Sequence, residues 1–485
     1  MRFVLLSLAP IAITVITAMM TVSHAADEVP VASSEPQDLI SETIDEAGDD
    51  SGDDPASLAT RRAAGREHLV QLSDEQRYDE AAAVALQILR LTQEEYGEDA
   101  RQVIDPLLDL AEVQHLGAEL AAAERNLSAA VMLIERYAGP LSTELIEPLT
   151  TLGEIYNESG LYDKAAQTFN RALRLNHVNH GFTNFDQFPI MDGLTVSHIS
   201  LNDIDEATFY QESQLEIQQR RLGTGNPEIA PAYFKLARWY SRINRYDEAI
   251  LTYQKADRVV REALGKNSPE RAEVLSGLAL VYQQIGNRSA SSSILRKALK
   301  LIEESPDNDP LRRASILVAL GDNLTREGRF SMAKDQYAAA WQALPDDDTG
   351  AERRDFYFGR TVRLEGNFFP QYARRARGRS RDELRTGSIL IDYSIDTKGR
   401  VTDSSVVESD PQGLMDESFL SIYRRSLFRP RYNDGVAQLS DGLLARHEFW
   451  YVSDKISADD DDDSDADSNA KAQQSRGKLS YPGDD

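Results

Sequence analysis

Four stretches of this chain can be laid over one another at a fixed spacing: LGEIYNESGLYDKAAQTFNRAL at Leu152, LARWYSRINRYDEAILTYQKAD at Leu236, LALVYQQIGNRSASSSILRKAL at Leu278 and LGDNLTREGRFSMAKDQYAAAW at Leu320. The offsets are 84, 42 and 42 residues, so one unit recurs every 42. Weaker copies occupy the registers at Leu110 and Leu194, and Tyr78 with Ala81 marks another near the start. A unit this short cannot bury its own apolar face, so copies must stack on their neighbours.

Within each copy, apolar residues at helical spacing form one face. Gly160, Asn244, Gly286 or Gly328 then sits where the chain must turn, a place that favours positive φ. An aromatic residue follows two positions later, at Tyr162, Tyr246 and Phe330. Small residues at Ala165, Ala249 and Ala333 let two helices approach closely, and Phe169, Tyr253 and Tyr337 fill the space beside them. Gly97, Gly139, Gly181, Gly223 and Gly265 form a second glycine register that ends the second helix, while Pro227 and Pro269 suit a helix's first turn. Each copy is therefore expected to be an antiparallel helix pair.

These residues resemble the tetratricopeptide repeat family. Gly153, Tyr156, Ala165, Phe169 and Ala172 stand at its signature spacing, and Ala237, Tyr240, Ala249, Tyr253 and Ala256 repeat the set. The period exceeds the family's usual 34, the extra residues falling after Ala172 or Ala256 and lengthening the helices as in the kinesin light chain type. The resemblance covers residues 60–345. It implies ligand contacts on the first helix of each pair, which selects Glu154, Asn157, Arg238, Ser241, Leu280, Gln283, Asp322 and Thr325 as groove residues. The bland alternative at each is a solvated groove position.

After Pro345 the repeat frame stops and an arginine-rich stretch begins, with Arg353, Arg354, Arg360 and Arg363 followed by YARRARGRSRDELR. Guanidinium forks match carboxylates and phosphates in pairs, while the plain reading is a solvated connector. Next, GSILIDYSIDTKGRVTDSSVVES alternates apolar and polar residues about a turn, which predicts two strands with Ile389, Ile391, Tyr393 and Ile395 on one face. QGLMDESFLSIYRRSLF reads as an amphipathic helix closed by Arg429 and Pro430, and GLLARHEFWYV as a third strand. Strand, strand, helix, strand predicts a small α+β unit.

That unit resembles the carboxy-terminal domain of the TonB family, through FPQYARRARGRSRDELRTGSILIDYSIDTKGRV and GLMDESFLSIYRRSLFRPRYNDG, with Phe428, Pro430 and Gly435 in the family's phenylalanine, proline and glycine places. Ser426 departs from it, standing where the family has a tryptophan. The resemblance implies a domain that receives a short extended peptide of an outer-membrane partner as an added strand at an exposed sheet edge. The candidate edge is the last strand, with Leu444, Arg446, Glu448 and Trp450 on one face.

The chain's start carries Arg2, an apolar run from Phe3 to Val22, and the small residues Ser23 and Ala25, a secretory signal with cleavage expected after Ala25. The run is also long enough to span a bilayer, so retention as an inner-membrane anchor facing the periplasm is the alternative, and the mature amino terminus distinguishes the two. With no cysteine, an exported chain has neither disulfides nor thiolate chemistry. A formal net charge of −27 over 485 residues repels nucleic acid and anionic lipid surfaces. Residues 26–59 and 455–485 are acidic and poor in large apolar groups, which reads as disordered linker and tail.

No catalytic constellation stands out. His177 and His180 lie three apart but lack a further ligand of obvious spacing and read as polar helix-end residues rather than a metal pair. LGTGNPE has two glycines without a preceding strand, so it is a turn and not a phosphate cradle.

The expected layout is a signal peptide at 1–25, an acidic linker at 26–59, an all-α helical repeat solenoid at 60–345, an arginine-rich connector at 346–385, a small α+β TonB-like domain at 386–454 and an acidic tail at 455–485. The expected function is a periplasmic protein–protein interaction scaffold, without catalysis, cofactor or metal, that captures a peptide of an envelope partner. The alternative is a membrane-anchored TonB-type energy transducer for outer-membrane transport. The absence of that family's proline-rich spacer favours the scaffold.

Overall fold

The computed structural model describes residues 55–306, 308–365 and 384–452. The signal segment, the linker up to Asp54, most of the arginine-rich run and the acidic tail lie outside the described residues. What is described falls into two compact units that divide between Asn179 and His180.

The first unit contains helix pairs α1 (Pro55–Asp74) with α2 (Tyr78–Tyr96), α3 (Ile104–Leu116) with α4 (Leu120–Ala138), and α5 (Ile146–Glu158) with α6 (Tyr162–His180). The first of these helices begins at Pro55, inside the stretch that composition assigns to the linker. The second unit continues the pattern with α7 (Phe188–Ser200) and α8 (Ile204–Leu222), α9 (Ala230–Arg242) and α10 (Tyr246–Leu264), α11 (Arg271–Gln284) and α12 (Arg288–Glu303), and α13 (Pro310–Arg326) and α14 (Phe330–Ala343). Second helices start at Tyr78, Leu120, Tyr162, Ile204, Tyr246, Arg288 and Phe330, each 42 residues after the last, as the sequence frame predicts.

Two residues before each of these starts the backbone is left-handed, at Gln76, Ala118, Gly160, Asn202, Asn244, Gly286 and Gly328. The tight reversal between antiparallel helices requires it. Glycine or asparagine accepts this conformation readily, but Ala118 (φ 60°) is held there by the repeat and pays a steric penalty against its Cβ. Ala118→Gly should therefore stabilise the first unit by about 0.5–1 kcal/mol net of the added chain entropy. The equivalent Gly160→Ala should destabilise by a similar amount. Calorimetric melting that moves both variants in one direction would contradict this.

Helix pairs close tightly because small residues face rings. A Cβ on Gly153 would lie 2.7 Å from Cζ of Phe169. Between pairs, apolar clusters run from one hairpin to the next. In the first unit Ala111, Ala123, Leu127, Leu152 and Ile155 join α3, α4 and α5. In the second unit Leu236, Tyr240, Tyr253, Val274 and Val281 join α9, α10 and α11, and Leu275, Leu295, Ile302, Ile316 and Leu320 join α11, α12 and α13. Each fully buried aliphatic side chain contributes about 1.5–3 kcal/mol, and the source is inter-repeat contact rather than a single centre.

After Pro345 the chain does not leave helical structure at once. Asp347 accepts a hydrogen bond from Gly350 N (2.8 Å) and caps a further helix, α15 (Asp348–Phe358). β1 (Val362–Glu365) follows. The last part contains β2 (Leu384–Ile395), β3 (Val401–Asp410), α16 (Asp416–Arg425), β4 (Leu427–Arg429), β5 (Tyr432–Asn433), β6 (Val436–Ala437) and β7 (Ser440–Val452). Three strands form an antiparallel sheet in the order β3-β2-β7. α16 and the Met415 that precedes it cover one face, packing Met415, Phe419 and Tyr423 against Ile389, Ile391 and Phe449.

The helix read through Phe428 stops at Arg425. Ser426 turns extended (ψ 144°) and Leu427–Arg429 pair with β1 instead. The Ser426 hydroxyl donates to Ile422 O (2.8 Å) and accepts from Arg363 Nη2 (2.7 Å). The Arg363 guanidinium lies 5.5 Å from the centre of the Tyr423 ring. Where the family resemblance calls for a tryptophan, a buried serine and an incoming arginine take its place.

Candidate functional site

Two surfaces carry the residues singled out by the sequence. The first is the free side of β7. Its register with β2 runs without interruption from Leu384↔Val452 to Tyr393↔Leu443, and among the described residues no strand pairs with its other side. The opposite edge, β3, is broken by register shifts on both sides of its centre, between Leu390 and Ile391 and between Ser394 and Ile395 of β2. Bulges blunt an edge against further pairing, so β7 is the better template.

Alternation along β7 splits its side chains. Leu443, Ala445, His447, Phe449 and Tyr451 turn toward α16, where Phe449 is buried. Leu444, Arg446, Glu448 and Trp450 are all exposed on the outer face, Leu444 at 63% and Trp450 at 45%. Arg446 Nη2 reaches Glu408 of β3 (2.9 Å) across the intervening β2. On the inner side His447 Nε2 lies 2.8 Å from the Tyr423 hydroxyl and the ring stacks on Phe419. Burial pushes the His447 imidazole down to about 4, with the nearby Arg363 charge acting in the same direction. A neutral His447 therefore anchors the inner face of the edge strand near neutral pH.

The second surface is the set of groove positions, and the structure distributes them unevenly. Glu154 and Asn157 are half-buried on α5, and burial raises the Glu154 carboxyl above the usual carboxylate range. Arg238 is exposed on α9, its guanidinium 5.9 Å from the Phe234 ring, and Leu280 is exposed on α11. Ser241 is buried and donates to Gln284 one repeat further on. Gln283 donates to Asn323 (2.6 Å), and the Thr325 hydroxyl turns back to Gly321 O (2.9 Å). Ser241 and Gln283 are thus engaged by the following hairpin and brace the array, while Arg238 and Leu280 stay exposed.

Among the described residues no repeat hairpin follows Asp322, and the chain's own carboxy-terminal part takes that place. Arg429 grips it with two parallel hydrogen bonds, Nε to Oδ1 and Nη2 to Oδ2, both 2.9 Å, and donates from Nη1 to Tyr357 O (2.8 Å). The Tyr337 hydroxyl donates to Asp322 Oδ1 (2.8 Å). Burial opposes the Arg429 charge, but Asp322 outweighs it and holds the guanidinium above its usual pKa. Around this pair, Leu317, Tyr337, Leu344, Phe358, Tyr432 and Ala437 form one apolar cluster. Arg326 Nε donates to Leu364 O (3.1 Å), and Arg288 pairs with Glu365 (2.6 Å). The boundary placed at Pro345 is therefore no break in packing.

Sequence reading missed Arg429, taken only as a helix stop, and read Tyr337 as filler. The available signal was an arginine, normally exposed, wedged between the buried Phe428 and Pro430. Of the arginine-rich connector, Arg354 donates to Leu344 O (2.8 Å) and Asp346 (2.7 Å), and Arg363 is spent on Ser426; residues 366–383 lie outside the described residues. A surface cavity of about 490 Å³ between the turns at Gly286 and Arg329 is lined by Arg288, Arg296 and Arg329, but Glu365 and Glu327 already pair with two of them. His177 and His180 fall in the last turn of α6. Among the described residues no helix is long and apolar enough to cross a membrane.

Comparison with known proteins follows this division. No curated protein matches the chain. Among solved structures, kinesin light chain TPR-like repeats from Podosopora anserina are 14% identical, cover 42% of this chain and 96% of their own, and give a TM-score of 0.38. The apo form of RapI is 13% identical over 66% of this chain and 81% of its own, with a TM-score of 0.44. The C-terminal part of a TPR repeat-containing protein from Cytophaga hutchinsonii is 14% identical over 59% and 98%, with a TM-score of 0.39. Family models described as tetratricopeptide repeat match residues 146–177 and 196–256, and the model described as Gram-negative bacterial TonB protein C-terminal matches residues 368–444, so the chain joins tetratricopeptide repeats to a TonB-type carboxy-terminal region, both of them interaction modules.

Proposed function

We propose that this protein is an exported, periplasmic adaptor whose carboxy-terminal sheet captures an extended peptide of an envelope partner by strand addition at β7, while the repeat array holds a second protein. The observation that carries this reading is the edge itself: 13 residues long, in unbroken register with β2 from Val452 to Leu443, and unpaired on its other side among the described residues. Main-chain groups supply the affinity in such a mode, and alternate side chains supply the selectivity. Export rests on Arg2, the apolar run Phe3–Val22 and the small residues Ser23 and Ala25.

Backbone dependence is the test. The N–H direction alternates along a strand, so of Ala445 and Arg446 one donates outward. Proline lacks that N–H. The full chain and its Ala445→Pro, Arg446→Pro and Arg446→Ala variants would be titrated calorimetrically against overlapping short peptides from periplasm-facing segments of outer-membrane receptors. The outward proline is expected to weaken capture by about tenfold or more, as loss of a hydrogen bond of about 1.5 kcal/mol implies, with Arg446→Ala within a few-fold of the parent. If both proline variants keep their circular dichroism and bind like the parent, this edge is not the receiver.

A further inference from the structure

The outer face of the three-stranded sheet has a composition that the capture reading does not require. Cross-strand register places Glu448, Ser388 and Asp410 in one row, Arg446, Leu390 and Glu408 in the next, Leu444, Asp392 and Ser405 in the third, with Ser394 opposite Asp403 beyond them. The carboxylates of Glu448, Asp410, Glu408, Asp392 and Asp403 share this face, among the described residues of the sheet, with one guanidinium, that of Arg446, which Glu408 already engages at 2.9 Å. Glu448, Glu408, Asp410 and Asp403 are exposed and Asp392 half-buried. Apolar surface remains at the two ends of the β7 edge, at Leu444 and Trp450.

We infer that the strand accepted at β7 belongs to a basic, extended segment of another protein, with lysine or arginine on the face it shares with Glu448 and apolar residues alongside Leu444 and Trp450. A strand laid beside β7 places its own alternate side chains next to Leu444, Arg446, Glu448 and Trp450. Directly opposite or adjacent like charges destabilise a pair, and opposite charges stabilise it. An acidic strand meets Glu448 directly, with Asp392 one strand further in, and finds Arg446 already engaged by Glu408; a basic strand relieves Glu448 instead. The same rule disfavours two other occupants. The chain's tail, with Asp459–Asp463, carries the wrong sign, and the β7 edge of a second copy brings a second acidic face alongside the first.

This inference rests on strand addition at β7, and the experiment separates the two. Octapeptides alternating valine with lysine, serine or glutamate, and a lysine version N-methylated at alternate amides, would be titrated against the full chain, against Asp392→Lys/Glu448→Lys, and against Glu94→Lys/Glu98→Lys. The last is a charge-matched control on an exposed stretch of the first unit that corrects for attraction to the chain's net charge of −27. The parent and the control are expected to favour lysine over glutamate by about fivefold or more, and the sheet-face variant to lose or reverse that order. Loss of binding on N-methylation supports the edge as receiver. An unchanged preference in the sheet-face variant overturns the charge inference alone. Undiminished binding of the N-methylated peptide, or no peptide binding at all, overturns strand addition and the inference with it.

Discussion

Replacing Arg429 with methionine is expected to destabilise the second unit by about 3–5 kcal/mol. Asp322 is nearly buried, its side chain 13% exposed, and without Arg429 it becomes an uncompensated charge in a cluster of Tyr337, Phe358 and Tyr432. Arg429 also satisfies Tyr357 O, so a backbone acceptor is orphaned too. The loss should appear in urea unfolding and as faster hydrogen exchange in α13 and in β4 to β6. The companion double variant Asp322→Leu/Arg429→Met should recover most of it, because apolar replacement of both partners removes the stranded charge. A single Arg429→Met variant that unfolds within about 0.5 kcal/mol of the parent would mean that the carboxy-terminal part is not docked on α13 as described.

Most of the helical framework was legible because it is written in spacing. A residue such as Tyr162 needs no tertiary information to be placed, since its neighbours at Tyr246 and Phe330 state the same position again. Ala118 and Gln76 show the limit: only the register, and nothing in their own chemistry, says that they turn left-handed. The sheet was legible from alternation in residues 387–408 and 442–452, and with it the exposed set Leu444, Arg446, Glu448 and Trp450. The short strands β1 and β4 were not, because their pairing is between segments far apart in the chain and each is too short to show a period. Groove positions were the least legible. Ser241, Gln283 and Asp322 look alike in sequence, yet what covers each depends on which surface follows it in the stack, and for Asp322 that surface arrives from 107 residues away.

Tyr337 gives the second large effect and shows whether the join between repeat and sheet behaves as one unit. Its ring is fully buried and meets Phe358 and Tyr432 edge-on, with centroids 6.3 and 5.7 Å away. Tyr337→Ala opens a cavity in the shared cluster and should destabilise by about 3–5 kcal/mol. Tyr337→Phe keeps the ring but removes the hydroxyl that donates to Asp322 at 2.8 Å and lies 3.1 Å from Thr325 Oγ1. A hydrogen bond to a charged group is worth about 1.5–3 kcal/mol, so this change should sit between the parent and the alanine variant. Because Tyr337 and Arg429 share one carboxylate, their effects should not add: combined with Arg429→Met, Tyr337→Phe is expected to differ from the sum by at least about 0.5 kcal/mol in urea unfolding. Strict additivity would mean that the two side chains do not meet at Asp322.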